Sequence, residues 1–436
     1  MHDPRFDISR RIQLKPQQRR TPGSRRSVRV GRIVVVVAVL YALVGASHGA
    51  QADEQRRPKA FKEVAQLQLP ADAEIDAAAV TRSGWLILNP ESRRGYQVLE
   101  GFSTTVIRSF DLDTLKPLRR VVLDGVPITS GVAAVSAPTG TLMAGEIVHA
   151  VDGPGRRIYL AMSDPGQNPA GTFVGGAGFP PDGQRPLRRF VAIDEDRLDD
   201  GKDDFAASFR EPVDQVRLHS YFMLGLKVDR AHAKPAEPGR LLALFAMPQG
   251  PTHVSPFYDH TLAGWDVSGL NFDAGAPSAG EVPPGTTPVT GNAWARRLDV
   301  CSGAPMASTG GFGQGNYQWG MLATRDAVYT ACQASDAAGG VARIGVDSST
   351  GVPRAVGGQE FFPLGQRISD VFVDDGGERV LVQSWGGGHS WWVFDTGLGR
   401  FTGAVSARAT DSYTMSAGID ATTGRLYQLV QDYVGV

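Results

Sequence analysis

Apolar residues in this chain gather in short runs rich in Val, Ile, Leu and aromatics, and the polar stretches between them are rich in Asp, Gly, Pro and Thr. Runs of this length and composition predict strands, and no window sustains the spacing of a long amphipathic helix. One nine-residue pattern occurs three times without gaps: Val151-Asp-Gly-Pro-Gly-Arg-Arg157-Ile-Tyr159, Val373-Asp-Asp-Gly-Gly-Glu-Arg379-Val-Leu381 and Ile419-Asp-Ala-Thr-Thr-Gly-Arg425-Leu-Tyr427. Each copy reads as an aliphatic residue, Asp, a Gly-containing turn, Arg and the start of a strand. An Asp side chain caps such a turn, Gly accepts a positive φ, and the flanking apolar residues enter a sheet. Each copy therefore predicts a hairpin.

A second element is a strand, an Asp-led turn and another strand. Phe110-Asp-Leu-Asp-Thr-Leu115 precedes LRRVVL, Val346-Asp347-Ser-Ser-Thr-Gly precedes VPRAV, and Val393-Phe-Asp395-Thr-Gly-Leu-Gly precedes RFTGAV. Ala192-Ile-Asp194, Gly264-Trp-Asp266 and Leu298-Asp299 read as weaker versions. Asp299, Asp347 and Asp395 stand 48 residues apart, and two hairpin copies stand 46 apart. Repeats of about 40–50 residues built from four short strands are the sequence signature of propeller blades. The expected fold is therefore all-β, a β-propeller of six or seven four-stranded blades. The expected blades fall near 71–125, 140–210, 215–272, 290–335, 339–405 and from 414 onward. Residues 61–70 read as a lone amphipathic strand that can supply the outer strand of the last blade.

Two Asp-led hairpins per repeat, one entering Arg-aliphatic-Tyr and one leaving aliphatic-Asp-x-x-Thr/Ser, resemble the YVTN and quinoprotein-amine-dehydrogenase-like β-propellers, relatives in architecture of WD40 repeats. The family's Y-V-T-N string is absent; Trp85-Leu-Ile-Leu-Asn89 and Ile158-Tyr-Leu-Ala161 keep only its strand character. The resemblance implies architecture alone, because this superfamily hosts enzymes, electron-transfer subunits and binding scaffolds.

The first 32 residues change the picture. They carry nine Arg and one Lys against Asp3 and Asp7, and no Asp, Glu, Lys or Arg follows from Ile33 to Ala52. The apolar core, residues 33–45, is 13 residues long, short of the roughly 20 a bilayer-spanning helix needs and well sized for a signal-peptide core. Ala50-Gln51-Ala52 satisfies the small-x-small cleavage rule, which places the cut before Asp53. Ser24-Arg25-Arg26-Ser27-Val28 resembles a twin-arginine export motif. Residues 1–52 are thus expected to be a signal segment outside the fold, or an uncleaved anchor; 53–60 a linker; and 61–436 the propeller. Residues 53–436 hold 34 Lys and Arg against 43 Asp and Glu, a net −9. An acidic domain without a basic run repels phosphate backbones, which argues against nucleic-acid binding. Membrane contact is expected only through the N-terminal segment, and the domain is expected to be a monomer that is secreted, periplasmic or held at the cell envelope.

Candidate chemistry is sparse. In an oxidising compartment Cys301 and Cys332 can form a disulfide across about 30 residues, worth about 3 kcal/mol; the alternative is two buried thiols. Gly45-Ala46-Ser47-His48-Gly49 matches a nucleophile-elbow string but lies in the signal segment, so it presents no nucleophile. Asp194, Asp196, Asp199, Asp200, Asp203 and Asp204 crowd one loop that can offer calcium its carboxylate oxygens, or else form a solvated acidic turn. His253, Asp259 and His260 can hold zinc or iron only if their loop folds back. Trp385, His389, Trp391 and Trp392 surround a glycine turn and can stack on a sugar ring or another aromatic ligand; the alternative is packing between blades.

Residues 163–187 and 272–292 are Gly/Pro-rich loops of the sort that form functional rims. The leading reading is an exported propeller that binds a protein or carbohydrate ligand. The alternative is a propeller enzyme, lactonase-like or a periplasmic dehydrogenase subunit, with its site at the mouth of the central channel. A calcium-stabilised propeller that binds or cleaves carbohydrate would join the acidic-loop and tryptophan leads.

Overall fold

The computed structural model describes residues 33–39, 62–69, 85–100, 104–124, 135–136, 141–142, 149–162, 189–210, 222–233, 239–248, 258–270, 272, 293–298, 320–333, 339–354, 359–366, 368–374, 378–384, 390–406 and 412–432. Strands dominate them, arranged in six four-stranded antiparallel sheets and one two-stranded hairpin, Val135–Ser136 with Thr141–Leu142. Strands are lettered a to d within each sheet. Blade 1 is Trp85–Asn89, Arg94–Glu100, Thr104–Asp111 and Pro117–Asp124. Blade 2 is His149–Asp152, Arg157–Met162, Arg189–Asp194 and Ala206–Arg210. Blade 3 is Phe222–Asp229, Arg240–Pro248, Tyr258–Trp265 and Trp294–Leu298. Blade 4 is Met321–Ala323, Ala327–Gln333, Gly339–Gly345 and Gln359–Pro363. Blade 5 is Ile368–Asp374, Arg379–Ser384, Ser390–Asp395 and Arg400–Ser406. Blade 6 takes Ser412–Asp420 and Arg425–Asp432 as strands a and b, then Ile33–Val39 and Lys62–Leu69 as c and d.

The a strands of consecutive blades touch in order, and that of blade 6 touches that of blade 1. The six sheets therefore form a closed ring with the a strands innermost.

The core is divided by seam. Tyr96, Val98, Ile158 and Val191 fill the gap between blades 1 and 2. Tyr159, Phe190, Phe209, Leu241 and Trp265 fill the next, then Leu242, Leu262, Met321 and Ile344. Tyr329, Val341, Val380 and Phe394 bridge blades 4 and 5; Leu381, Trp391, Ile419 and Leu426 bridge 5 and 6; Leu86, Phe110, Tyr427 and Leu429 bridge 6 and 1. Alternate residues of one strand serve opposite seams: Leu241 and Ala243 face blade 2, Leu242 and Leu244 face blade 4. Inner strands are covered on both faces, which is why they read as unbroken apolar runs.

The structure corrects two expectations. Residues 290–335 and 339–405 are not blades: Trp294–Leu298 is the outer strand of blade 3, and blades 4 and 5 start at Met321 and Ile368. The 28 residues between Trp265 and Trp294 conceal that strand's sheet, so sequence spacing assigned it to the wrong neighbour. For the same reason the 48-residue spacing does not place Leu298 before a c–d turn, because Leu298 ends an outer strand; Asp299 lies outside the described residues. Residues 33–39, which lie within the stretch read as a signal segment, pair along both edges, with Arg425–Asp432 and with Lys62–Leu69. A run without polar alternation suits a strand covered on both faces as well as it suits a signal-peptide core.

Candidate functional site

All a–b and c–d turns open on one face of the ring, because strands alternate direction through every blade. The repeated Asp residues end the strands there. Asp152 and Asp420 end the a strands of blades 2 and 6, Asp229 ends that of blade 3, and Asn89 takes the place in blade 1; all four are buried. Asp111, Asp194, Asp347 and Asp395 lead c–d turns. Six of these turns share one geometry. Four residues after the lead residue the backbone is left-handed: φ is 57° at Arg93, 49° at Arg156, 66° at Gly424, 56° at Leu115, 65° at Gly351 and 61° at Gly399. The lead carboxylate accepts from the turn's amides, as Asp111 does from Asp113 (3.0 Å) and Thr114 (2.8 Å) and Asp347 does from Ser349 (3.0 Å) and Thr350 (2.9 Å). The hydrogen bond from the Ser349 hydroxyl, with those of the turn, holds Asp347 far below the usual carboxylate range.

The Arg that follows each turn is also explained by register. Arg94 stands opposite Asn89 and Asp111, Arg157 opposite Asp152 and Asp194, and Arg379 opposite Asp395. A cation is thus flanked across strands by acidic or amide side chains, a favourable cross-strand pairing.

The seams carry the strongest polar contacts. Arg93 of blade 1 donates to the buried Asp420 of blade 6 at 2.6 Å and to Asp113 at 2.6 Å. Burial pushes Asp420 up, but the hydroxyls of Thr422 and Thr423 and the Arg93 guanidinium outweigh it and hold the carboxyl below its ordinary range. Arg230 of blade 3 grips Asp152 of blade 2 through Nε at 2.7 Å and through Nη2. His232 sits between Asp229, 2.9 Å from Nδ1, and the Arg325 carbonyl of blade 4, 2.9 Å from Nε2. The strand-b tyrosines reach the next blade's c–d turn: Tyr427 donates to the Leu112 carbonyl at 2.9 Å, and Tyr96 to Glu195 at 2.7 Å.

Glu195, like Asp152 and Asp420, is fully enclosed on this face. It opens the short helix Glu195–Asp199, which Asp194 caps by accepting from the Arg197 amide. Its carboxylate is fully buried and receives Tyr96, the Asn89 amide at 2.7 Å and the Ser92 hydroxyl at 3.2 Å, all from blade 1. Burial raises its pKa in spite of these donors, and burial beside Glu195 pushes the Tyr96 hydroxyl well above its ordinary value.

Four aspartates of the acidic loop pair with arginine or lysine. Asp196 pairs with Arg156 at 2.7 Å, Asp199 with Arg94 at 3.2 Å and Arg156 at 3.5 Å, Asp200 with Lys202 at 3.4 Å, and Asp204 with Arg197. Among the described residues no group of three or more His, Cys, Asp or Glu side chains converges to hold a metal ion. Asp259 and His260 are neighbours in strand c of blade 3, paired with Met247 and Ala246; His253 lies outside the described residues. Trp391 is fully buried in the seam between blades 5 and 6, and Trp392 packs partly buried toward blade 4. Trp385 and His389, in the b–c connection of blade 5, and Cys301 lie outside the described residues; Cys332 is in strand b of blade 4.

The sequence reading missed a fourth copy of the hairpin, Leu88-Asn-Pro-Glu-Ser-Arg93-Arg94-Gly-Tyr96, which keeps Arg and Tyr at the same offsets but replaces Asp by Asn. It also missed Val228-Asp229, where a ten-residue connection to Arg240 hides the repeat.

Six four-stranded sheets in a closed ring, each meeting its neighbours through the inner strand, decide the architecture. The chain is a six-bladed β-propeller. No protein-family model and no curated protein matches it. Solved propellers resemble it distantly. The β-propeller domain of Cps50 (Swd1) from Myceliophteria thermophila is 12% identical, over 80% of this chain and 98% of that one, with a TM-score of 0.34. Hydrazine synthase from Kuenenia stuttgartiensis is 9% identical, over 84% and 99%, with a TM-score of 0.41. TolB from Acinetobacter baumannii is 11% identical, over 92% and 63%, with a TM-score of 0.36.

Proposed function

We propose that this propeller is an exported binding module that recognises a protein or carbohydrate ligand through the face carrying its b–c and d–a connections. One observation carries the reading. On the turn face, Asp152, Asp229 and Asp420, which end the a strands of blades 2, 3 and 6, are buried and bound to arginine or histidine, and Asp196 and Asp199 of the acidic loop pair with Arg156 and Arg94. That face is engaged in holding blades together, which leaves recognition to the other. Trp385 and His389 belong to a b–c connection, and the Gly/Pro-rich stretch 163–187 belongs to another, so both leave from strand ends on the proposed ligand face. Export is supported by the basic N-terminus and the 13-residue apolar core.

A panel of soluble neutral oligosaccharides, read by quenching of tryptophan fluorescence, tests the carbohydrate arm. Quenching by at least one sugar that Trp385→Ala abolishes supports the ligand face. Quenching that survives Trp385→Ala and is lost in Asp196→Ala, on the turn face, would overturn it.

A further inference from the structure

The run Ile33–Val39 is asked to do two things that one segment cannot do together. Its sequence, IVVVVAV, is the heart of the apolar stretch that follows the basic N-terminus. Its backbone is strand c of blade 6, with Ile33 to Val39 opposite Gln431 to Arg425 on one edge and Leu69 to Lys62 on the other. Every residue of the run has a partner on both sides. Five of the seven residues are β-branched Val or Ile next to one another at the start of the run, a composition that favours strand over helix. Removing the run would leave the outer edge of Arg425–Asp432 without this partner, and among the described residues Lys62–Leu69 pairs with no other strand. An exposed central edge is costly and invites foreign pairing.

A segment engaged with a bilayer must satisfy its backbone within itself, as a helix does, and cannot also donate to two flanking strands. We infer that ring closure and membrane engagement are alternative states of residues 33–39: with the run in blade 6 the apolar core is withdrawn from the membrane, and with the run in the membrane the propeller lacks strand c of its closing blade. The segment is then a latch on the ring as well as an export signal. This inference rests on the export reading of residues 1–52, taken in its uncleaved form, in which the segment stays attached as an anchor and is not cut before Asp53.

The test uses the full chain carrying Val36→Cys and Gln428→Cys, which are paired residues across the c and b strands. The disulfide between the introduced thiols is identified by peptide mass mapping. Flotation with vesicles of anionic phospholipid, chosen for the basic N-terminus, is compared in the oxidised and reduced protein. The expected result is that the disulfide forms, that the oxidised protein stays out of the vesicle fraction, and that reduction restores flotation. A folded protein in which the disulfide does not form overturns the closing strand. A disulfide that leaves flotation unchanged overturns the exclusion of one state by the other. A disulfide with no flotation in either state overturns the inference through the export reading itself.

Discussion

Arg93 of blade 1 reaches across the last seam of the ring and holds the buried carboxylate of Asp420, the final residue of the innermost strand of blade 6, at 2.6 Å. The two residues are 327 positions apart in sequence. Arg93 is itself in a left-handed conformation, which few residues other than Gly adopt. The contact therefore has a conformational cost that its electrostatics must offset.

Arg93→Met should strand Asp420 in the seam with only the hydroxyls of Thr422 and Thr423 and the Thr422 amide. Because Arg93 remains about a quarter exposed, the expected loss is about 1–3 kcal/mol, below that of a fully buried pair. Urea unfolding measures it, and a change under about 0.5 kcal/mol would make the seam contact incidental.

Tyr427→Phe removes the hydroxyl that donates to the Leu112 carbonyl across the same seam. About 0.5–1.5 kcal/mol of stability should be lost. Since both residues brace one seam, the double variant with Arg93→Met should depart from additivity. Strict additivity in the same unfolding assay would mean that the two contacts act independently.

Gly95 faces the ring of Phe110. A Cβ there would lie 2.2 Å from Phe110 Cζ and 2.4 Å from Cε2, and Phe110 is buried in the seam with blade 6. Gly95→Ala is expected to cost about 1–3 kcal/mol by overpacking. Thermal unfolding with an unshifted midpoint would show that Phe110 has room to retreat.

Glu195 gives the fold a pH dependence of definite sign. Its pKa is raised by burial, so the stability it contributes is fully present below the unfolded carboxylate range and is lost as pH rises through its folded value. Glu195→Gln does not titrate, and its amide meets the donating Asn89 side chain poorly, so it should be destabilising at low pH. That deficit should shrink as pH rises through and above the ordinary carboxylate range of about 4. Urea unfolding across this range checks it; a constant difference would contradict the burial argument. Asp420 works in the opposite sense, since its lowered pKa gives stability that is present above the unfolded range and lost on acidification.

Much of the blade was readable because its hairpins obey local chemistry. The Asp of Val151-Asp152 and Ile419-Asp420 announced a–b turns, and Asp111, Asp347 and Asp395 announced c–d turns, because each caps its own loop within three residues. What failed was whatever depends on distance along the chain. The partners of Arg93 and Arg230 lie in other blades, and nothing local selects Asp420 or Asp152. The long connection between Trp265 and Trp294 moved one strand into the wrong blade. Trp391 shows a related ambiguity: three tryptophans about a glycine turn suit ligand stacking or seam packing equally, and only the position of Trp391 on an inward face of strand c assigns it to packing. Ile33–Val39 was ambiguous for a different reason. An unbroken apolar run carries no periodicity, so hydropathy alone does not separate a signal core from a strand covered on both faces.

The measurement closest to the central claim is amide hydrogen exchange, read by mass spectrometry on the full chain. The closed ring predicts that Ile33–Val39 is protected to a degree comparable with its partner strand Arg425–Asp432. Exchange of residues 33–39 at the rate of an unstructured peptide, with Arg425–Asp432 still protected, would contradict a sixth blade closed by the N-terminal run.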